Sequence, residues 1–253
     1  MKRAIILAAG KGERLVNGLS FPKPMKRVGG VPLIVRAVRN LERAGVDEVI
    51  VIIGHLGEVL RRGLSQYKFD LDLRFVQNDE FDKPNGTSLL KARAFVRGPT
   101  FVLMSDHLWA PELITPIDAF DLGADEAVLG IDFDIERCID IPDATKVLLE
   151  GDRIVQISKE LPSYHALDTG VFKITEALIE ELARAEGPHG CSLSQGVQAL
   201  AARGAMKAVS VGTAMWIDVD TPMAHTFAER QLTRYGDALQ PMGYGLRSVA
   251  VGG

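Results

Sequence analysis

Cysteine is scarce in this chain. Only Cys138 and Cys191 occur among 253 residues, far apart and neither with a second cysteine at metal-ligand spacing. That argues against a disulfide framework and against a structural zinc site. Long apolar runs are missing as well: no stretch approaches the roughly 18 apolar residues that cross a bilayer. The short apolar run at the N-terminus ends in Gly-Lys-Gly-Glu-Arg, not in a cleavage site. Nor is there an excess of positive charge. Lys and Arg number 29 against 33 Asp and Glu, a formal net charge of −4, which is the wrong sign for a general nucleic-acid binder. No polar low-complexity tract argues for disorder, and hydrophobic residues make up 47%, enough for a substantial core. The expectation is a soluble, cytoplasmic protein with no nucleic-acid partner and no membrane span. Homo-oligomerisation is left open.

Apolar runs and helical periodicities alternate along the first half. Residues 3–9 (RAIILAA), 47–54, 71–78 and 99–106 predict strands, the first two of them buried on both faces. Helices are predicted at 32–45, which starts at Pro32 and stops at Gly45, then at 57–64 and 86–96. This order predicts an α/β fold built on a single doubly wound, mostly parallel sheet. Ligands in such sheets bind beyond the carboxyl ends of the strands, where Gly10, Asn78 and Asp106 all fall. The second half is richer in β signals. Residues 144–158 read as a hairpin turning at Gly151-Asp152, and 165–174, 206–211 and 215–220 as strands. Helices are expected at 175–186, 192–203 and 221–235, the last capped by Thr221 with Pro222 at its first position. The expected layout is one domain over 1–235, with a small β-rich lobe near 140–175, and an unassigned tail at 236–253.

The loop after the first run holds Gly10, Lys11, Gly12 and Arg14. Glycines there let backbone N–H groups approach an anion. A phosphate loop of the Gly-Lys-Ser/Thr kind is absent. So is the dinucleotide fingerprint, which needs a third glycine where Leu15 stands and an acidic residue where Gly54 and His55 stand. Downstream, Pro22 and Pro24 fix the backbone on either side of Lys23, lowering the freedom it would lose on gripping a ligand. Leu-Ala-Ala-Gly-x-Gly-x-Arg-Leu, then Pro-Lys-Pro-Met and Val-Gly-Gly-x-Pro-Leu, together resemble the signature of the nucleotidyltransferases that activate sugar and polyol phosphates. The resemblance implies a Rossmann-like nucleotidyltransferase fold in which Leu7, Ala8, Ala9, Gly10, Lys11 and Gly12 wrap a nucleoside triphosphate. It implies that Arg14 and Lys23 contact its phosphates. One departure is that Val16-Asn17-Gly18-Leu19 replaces the Pro-Leu-Thr that many hexose-phosphate enzymes carry.

Asp106 ends a buried run, and Asp218 and Asp220 precede the last helix. Nucleotidyl transfer calls for Mg²⁺, which takes one or two carboxylates plus phosphates and water. Alternation puts Asp218 and Asp220 on one side of their strand, so spacing does not choose between them; the resemblance favours Asp106 and Asp220 as metal ligands. His107 reads as a supporting neighbour. The helix start at Gly86, Thr87 and Ser88 suits an anion or a base edge, and the resemblance sets Gly86 and Thr87 against the nucleobase with Asn78 nearby. Lys146 and Lys159 suit an acceptor phosphate, while Asp168, with Thr169 and Gly170 after it, suits substrate hydroxyls. Combined with NGTSL, MSDHLW and DVDTP, these residues are similar to the inositol-1-phosphate cytidylyltransferases over roughly residues 3–232. That similarity implies CTP, a small phosphorylated polyol and Mg²⁺, in a stand-alone form without the membrane-embedded transferase that some relatives carry. A hexose-1-phosphate nucleotidyltransferase shares the loop and metal residues. A non-catalytic nucleotide sensor would share the fold without needing the complete acidic pair.

Overall fold

Strand β1 (Arg3–Ala8) realises the first apolar run, and every residue in it after Arg3 is buried. In the computed structural model, which describes residues 1–12, 21–236 and 239, it is followed by the short pair β2 (Arg27–Val28) and β3 (Val31–Pro32). Then come α1 (Leu33–Arg43), β4 (Glu48–Ile53), α2 (Gly57–Leu64), β5 (Asp72–Gln77), α3 (Asn85–Lys91) and β6 (Thr100–Met104). After these come β7 (His107–Trp109), α4 (Ile114–Ala119), β8 (Ala127–Asp132), β9 (Lys146–Glu150), β10 (Arg153–Ser158) and β11 (Ala166–Ile174). The remaining elements are α5 (Glu176–Ala185), α6 (Leu193–Ala202), β12 (Met206–Ser210), β13 (Trp216–Asp218) and α7 (Pro222–Tyr235).

Among the described residues, nine strands form one sheet in the order β5-β4-β1-β6-β11-β8-β12-β10-β9. Strands β5, β4, β1 and β6 are parallel neighbours, and β12 is parallel to β8. β11 runs antiparallel between β6 and β8. The chain moves from β1 outward to β4 and β5, then returns to β6 on the other side of β1. Their carboxyl ends therefore flank the point where strand order reverses, the place such sheets reserve for ligands.

The continuous apolar runs have a direct explanation: both faces are covered. Ile5 and Leu7 pack with Ile50, Ile52, Leu89, Leu178 and Leu182 under α3 and α5. Their alternates Ala4, Ile6 and Ala8 pack with Ile34, Val38, Leu41 and Leu60 under α1 and α2. A third cluster (Val28, Leu33, Leu108, Ile217, Val219 and Leu232) fixes β7, β13 and α7 against the start of α1.

Two expectations are adjusted. The hairpin at 144–158 is present, with Gly151 at φ +63° in its turn, and 165–174 is a strand, but β9, β10 and β11 pair into the main sheet and are continuous with it. The helix expected at 86–96 stops at Lys91 and continues as a 3₁₀ turn over 93–95. The tail lies outside the described residues apart from Gly236 and Leu239. Among the described residues no helix is long and apolar enough to cross a membrane.

Helix α7 carries the cap its sequence predicts. Thr221 Oγ1 accepts from Ala224 N at 3.2 Å, with Pro222 at the first position. Thr221→Ala is therefore expected to lower stability by about 1 kcal/mol, read from the midpoint of a urea titration at unchanged slope.

Candidate active site

The short pair β7–β13 assembles the acidic centre. His107 stands opposite Asp218 and Trp109 opposite Trp216, and Val219 N donates to Asp106 O at 3.0 Å. This register brings the end of β6 beside the start of α7, so Asp106 and Asp220 meet although they are remote in sequence. Lys23, on the 3₁₀ turn Lys23–Met25, is 5% exposed. Its ammonium donates to Asp106 Oδ2 at 2.7 Å and also to Asp220 Oδ1. Gly12 supports the same arrangement. At φ +63°, a Cβ there would lie 2.4 Å from Lys23 Cβ, so the glycine loop and Lys23 pack as one unit.

Burial alone would raise the Asp106 carboxyl, but the Lys23 ammonium and His107 outweigh it and hold it at about 2. Burial pushes Asp218 upward, only partly offset by His107. Asp168 is pushed up to about 6 by burial, against a hydrogen bond at 2.6 Å from Gly170 N to its Oδ1. Burial lowers His107, yet Asp218 and Asp106 bring it above the ordinary imidazole value. Its Nδ1 donates to Thr169 O at 2.8 Å.

A cavity of about 430 Å³ opens beside these groups, and Asp143, Lys159, Asp168, Gly170, Asp218 and Asp220 all line it. Lys159 Nζ pairs with Asp143 at 2.7 Å. Two of the residues expected to hold an acceptor lie elsewhere. Lys146 is buried with its ammonium on the carbonyls of Pro142 (3.1 Å) and Lys159 (2.8 Å), so it braces the backbone of Lys159. The Thr169 hydroxyl is buried against Gly130 O at 2.7 Å. Leu7, Ala8 and Ala9 are buried at the carboxyl end of β1, and Gly10 has open space around it. Lys11 pairs with Asp82 at 2.7 Å. Asn78, Thr87 and Ser88 form a buried wall: Asn78 Nδ2 donates to Ser88 Oγ at 2.9 Å and Cys191 N to Thr87 Oγ1 at 3.1 Å. Gly86 is needed for close packing there, since a Cβ would lie 2.7 Å from Cys191 O. Arg14 lies outside the described residues.

Residues 4–120 match the MobA-like NTP transferase domain. A bifunctional IPC transferase and DIPP synthase of Rubrobacter xylanophilus is 34% identical over 238 residues, covering 90% of this chain and 51% of that protein. Its counterpart in Thermococcus kodakarensis is 30% identical, covering 92% of this chain and 51% of that protein. The inositol-1-phosphate CTP transferase from T. maritima superposes with a TM-score of 0.78 at 26% identity, over 91% of this chain and 96% of that one. Residues 4–120 thus carry the MobA-like NTP transferase domain, and nearly the whole chain is similar to these transferases. The chain spans about half the length of the curated relatives it matches.

The acidic centre suits a divalent cation. Asp143, Asp218 and Asp220 present carboxylate oxygens within 4.8 Å of one another, as do Asp106 and Asp218 together with His107. Among the described residues Asp218 Oδ1 is buried without a hydrogen-bond donor, an expensive state that a cation would relieve. The donor set is mostly hard oxygen, as Mg²⁺ prefers.

Sequence reasoning missed Asp143 and Asp132. Asp143 sits in a stretch without periodicity, where nothing marks one acid among several. Asp132 receives Arg137 at 2.9 and 3.0 Å and Trp216 Nε1 at 2.8 Å, tying the cavity-lining segment after β8 to β13. Its only signal was the end of the apolar run in β8.

Proposed function

We propose that the chain transfers a cytidylyl group from CTP to inositol-1-phosphate, giving CDP-inositol and pyrophosphate. The observation that carries this reading is the convergence of Lys23, Asp106 and Asp220 at the strand-order switch, beside a cavity lined by Lys159 and Asp168. Support for the choice of substrates comes from the T. maritima inositol-1-phosphate CTP transferase and from similarity to the bifunctional IPC transferases.

An oxygen of the acceptor phosphate attacks the α-phosphorus of CTP while the bond to pyrophosphate breaks. The nucleophile is already an anion, so no general base is required, and catalysis comes from positioning and electrostatics. Mg²⁺ held by Asp106 and Asp220 would offset charge on the α-phosphate and on the departing pyrophosphate. Lys23 presents an ammonium at the same point, pre-set by its two prolines. Lys159 neutralises the acceptor phosphate, Lys146 fixes the backbone from which Lys159 extends, and Asp168 accepts from polyol hydroxyls. Asn78, Gly86, Thr87 and Ser88 shape the wall that receives the base.

Pyrophosphate release with Mg²⁺ tests this, crossing CTP, UTP, GTP, ATP and dTTP against inositol-1-phosphate, glucose-1-phosphate, mannose-1-phosphate and phosphocholine. The expected signal is at CTP with inositol-1-phosphate. A signal elsewhere would reassign the substrates within the same chemistry, and silence with nucleotide binding intact would favour a sensor. Within the working pair, Lys159→Ala is expected to raise the acceptor KM about tenfold with kcat nearly unchanged, as loss of a charge-assisted contact made equally in ground and transition states. Steady-state kinetics with the acceptor varied at saturating CTP would show it.

A further inference from the structure

His107 bridges two parts of the site that no other contact described above joins. On one side its Nδ1 donates to Thr169 O at 2.8 Å. There it packs on Gly170, where a Cβ would lie 2.4 Å from two ring atoms. On the other side its Nε2 stands 3.8 Å from Asp106 Oδ1 and 3.8 Å from Asp218 Oδ2. The Trp216 ring lies against it at 5.9 Å between centroids, and the side chain is only 11% exposed. Gly170, at φ +75°, gives the ring its space, while its N–H donates to the Asp168 carboxylate at 2.6 Å. One residue before Thr169, on the same strand, is Asp168, which lines the acceptor cavity.

We propose that His107 is a positioning residue, a spacer braced on the Thr169–Gly170 backbone that sets where Asp106 and Asp218 stand. The ring's orientation is fixed by one hydrogen bond and its depth by one glycine. The carboxylate spacing is thereby set from the strand that also carries the acceptor-facing Asp168. Outer partners of this kind typically change metal affinity or activity by about 10- to 100-fold when removed.

The test uses the full chain and two readouts. The first is Mn²⁺ affinity by electron paramagnetic resonance without nucleotide. The second is kcat against acceptor KM, and only this arm rests on the cytidylyl-transfer reading. His107→Ala and His107→Asn are expected to weaken Mn²⁺ binding about 10- to 100-fold and to lower kcat more than they change acceptor KM. The Asn variant keeps a donor for Thr169 O and so guards against misfolding. His107→Gln, whose amide reaches the Nε2 position, is expected to recover part of the loss. Gly170→Ala displaces the ring and should copy His107→Ala, with no further loss in the double variant. Wild-type Mn²⁺ affinity in His107→Ala and His107→Asn would overturn the proposal, as would fully additive effects of Gly170→Ala and His107→Ala. Failure of the cytidylyl-transfer reading alone would silence the kinetic arm and leave the Mn²⁺ arm intact.

Discussion

Asp106→Ala is expected to lower kcat at least ~10³-fold, because the Mg²⁺ proposed to sit on this carboxylate would supply several kcal/mol of transition-state charge stabilisation and each 1.36 kcal/mol is a factor of ten. The carboxylate lies against the Lys23 ammonium at 2.7 Å and is held at about 2, so it is ionised throughout the working pH range. Removing it would take one oxygen pair from the proposed Mg²⁺ site and leave Lys23 leaning on Asp220. Asp106→Asn keeps the volume and loses the charge, and it should fail to a similar degree. The same substitution has a stability signature. A native pKa of about 2 against an ordinary value of 3.8 means the folded state binds the proton less tightly than the unfolded state. The contribution is therefore present above about pH 4 and fades as pH falls toward 2, with a size on the order of 2 kcal/mol. Urea titrations of wild type and Asp106→Asn should differ by that amount at pH 7 and converge near pH 2. Pyrophosphate release by either variant within tenfold of wild type would remove Asp106 from the metal assignment.

The sequence made the parallel half of the fold legible because burial on both faces leaves a continuous apolar run. β1 and β4 carry nothing polar except Arg3 and Glu48, which pair with each other at 2.6 Å. The stretch 107–143 was unreadable for equally physical reasons. β7 is three residues long, too short for periodicity. β8 contains Gly130, which reads as a breaker yet is required there, since a Cβ would lie 2.5 Å from Ile117 Cδ1 of α4. At the site, Lys23 was legible from its flanking prolines and Asp106 from its place at a strand end. Lys146 was not separable from Lys159, because both are lysines near the same hairpin; only the carbonyls around Lys146 reveal that one supports the other. Asp218 and Asp220 share a side by alternation. The structure distributes them instead of excluding one: Asp220 meets Lys23, whereas Asp218 meets His107.

Asp168→Asn is expected to stabilise the chain while weakening its use of the acceptor. Burial pushes the Asp168 carboxyl up to about 6 from an ordinary 3.8, and the Gly170 N–H and His107 recover only part of that cost. A raised native pKa means the folded state binds the proton more tightly. The favourable contribution is complete below about pH 4 and is lost as pH rises through 6, so at pH 8 the buried charge costs about 3 kcal/mol. Asparagine carries no charge to bury, and its amide oxygen can still accept from Gly170 N, which now lies 2.6 Å from Oδ1. The stability difference between variant and wild type should thus be small at pH 4 and grow to about 3 kcal/mol by pH 8, measured by urea titration at both values. Activity should move the other way. Asp168 faces the cavity, and a carboxylate accepting from substrate hydroxyls contributes roughly 1.5–3 kcal/mol per bond. The acceptor kcat/KM should fall about 10- to 100-fold, with the CTP KM little changed. A charge retained at a stability cost is what a site built for ligand donors carries. A variant that gains no stability between pH 4 and pH 8 would show that the carboxyl is not a buried charge. A variant with wild-type kcat/KM for inositol-1-phosphate would show that the hydroxyls are read by other groups.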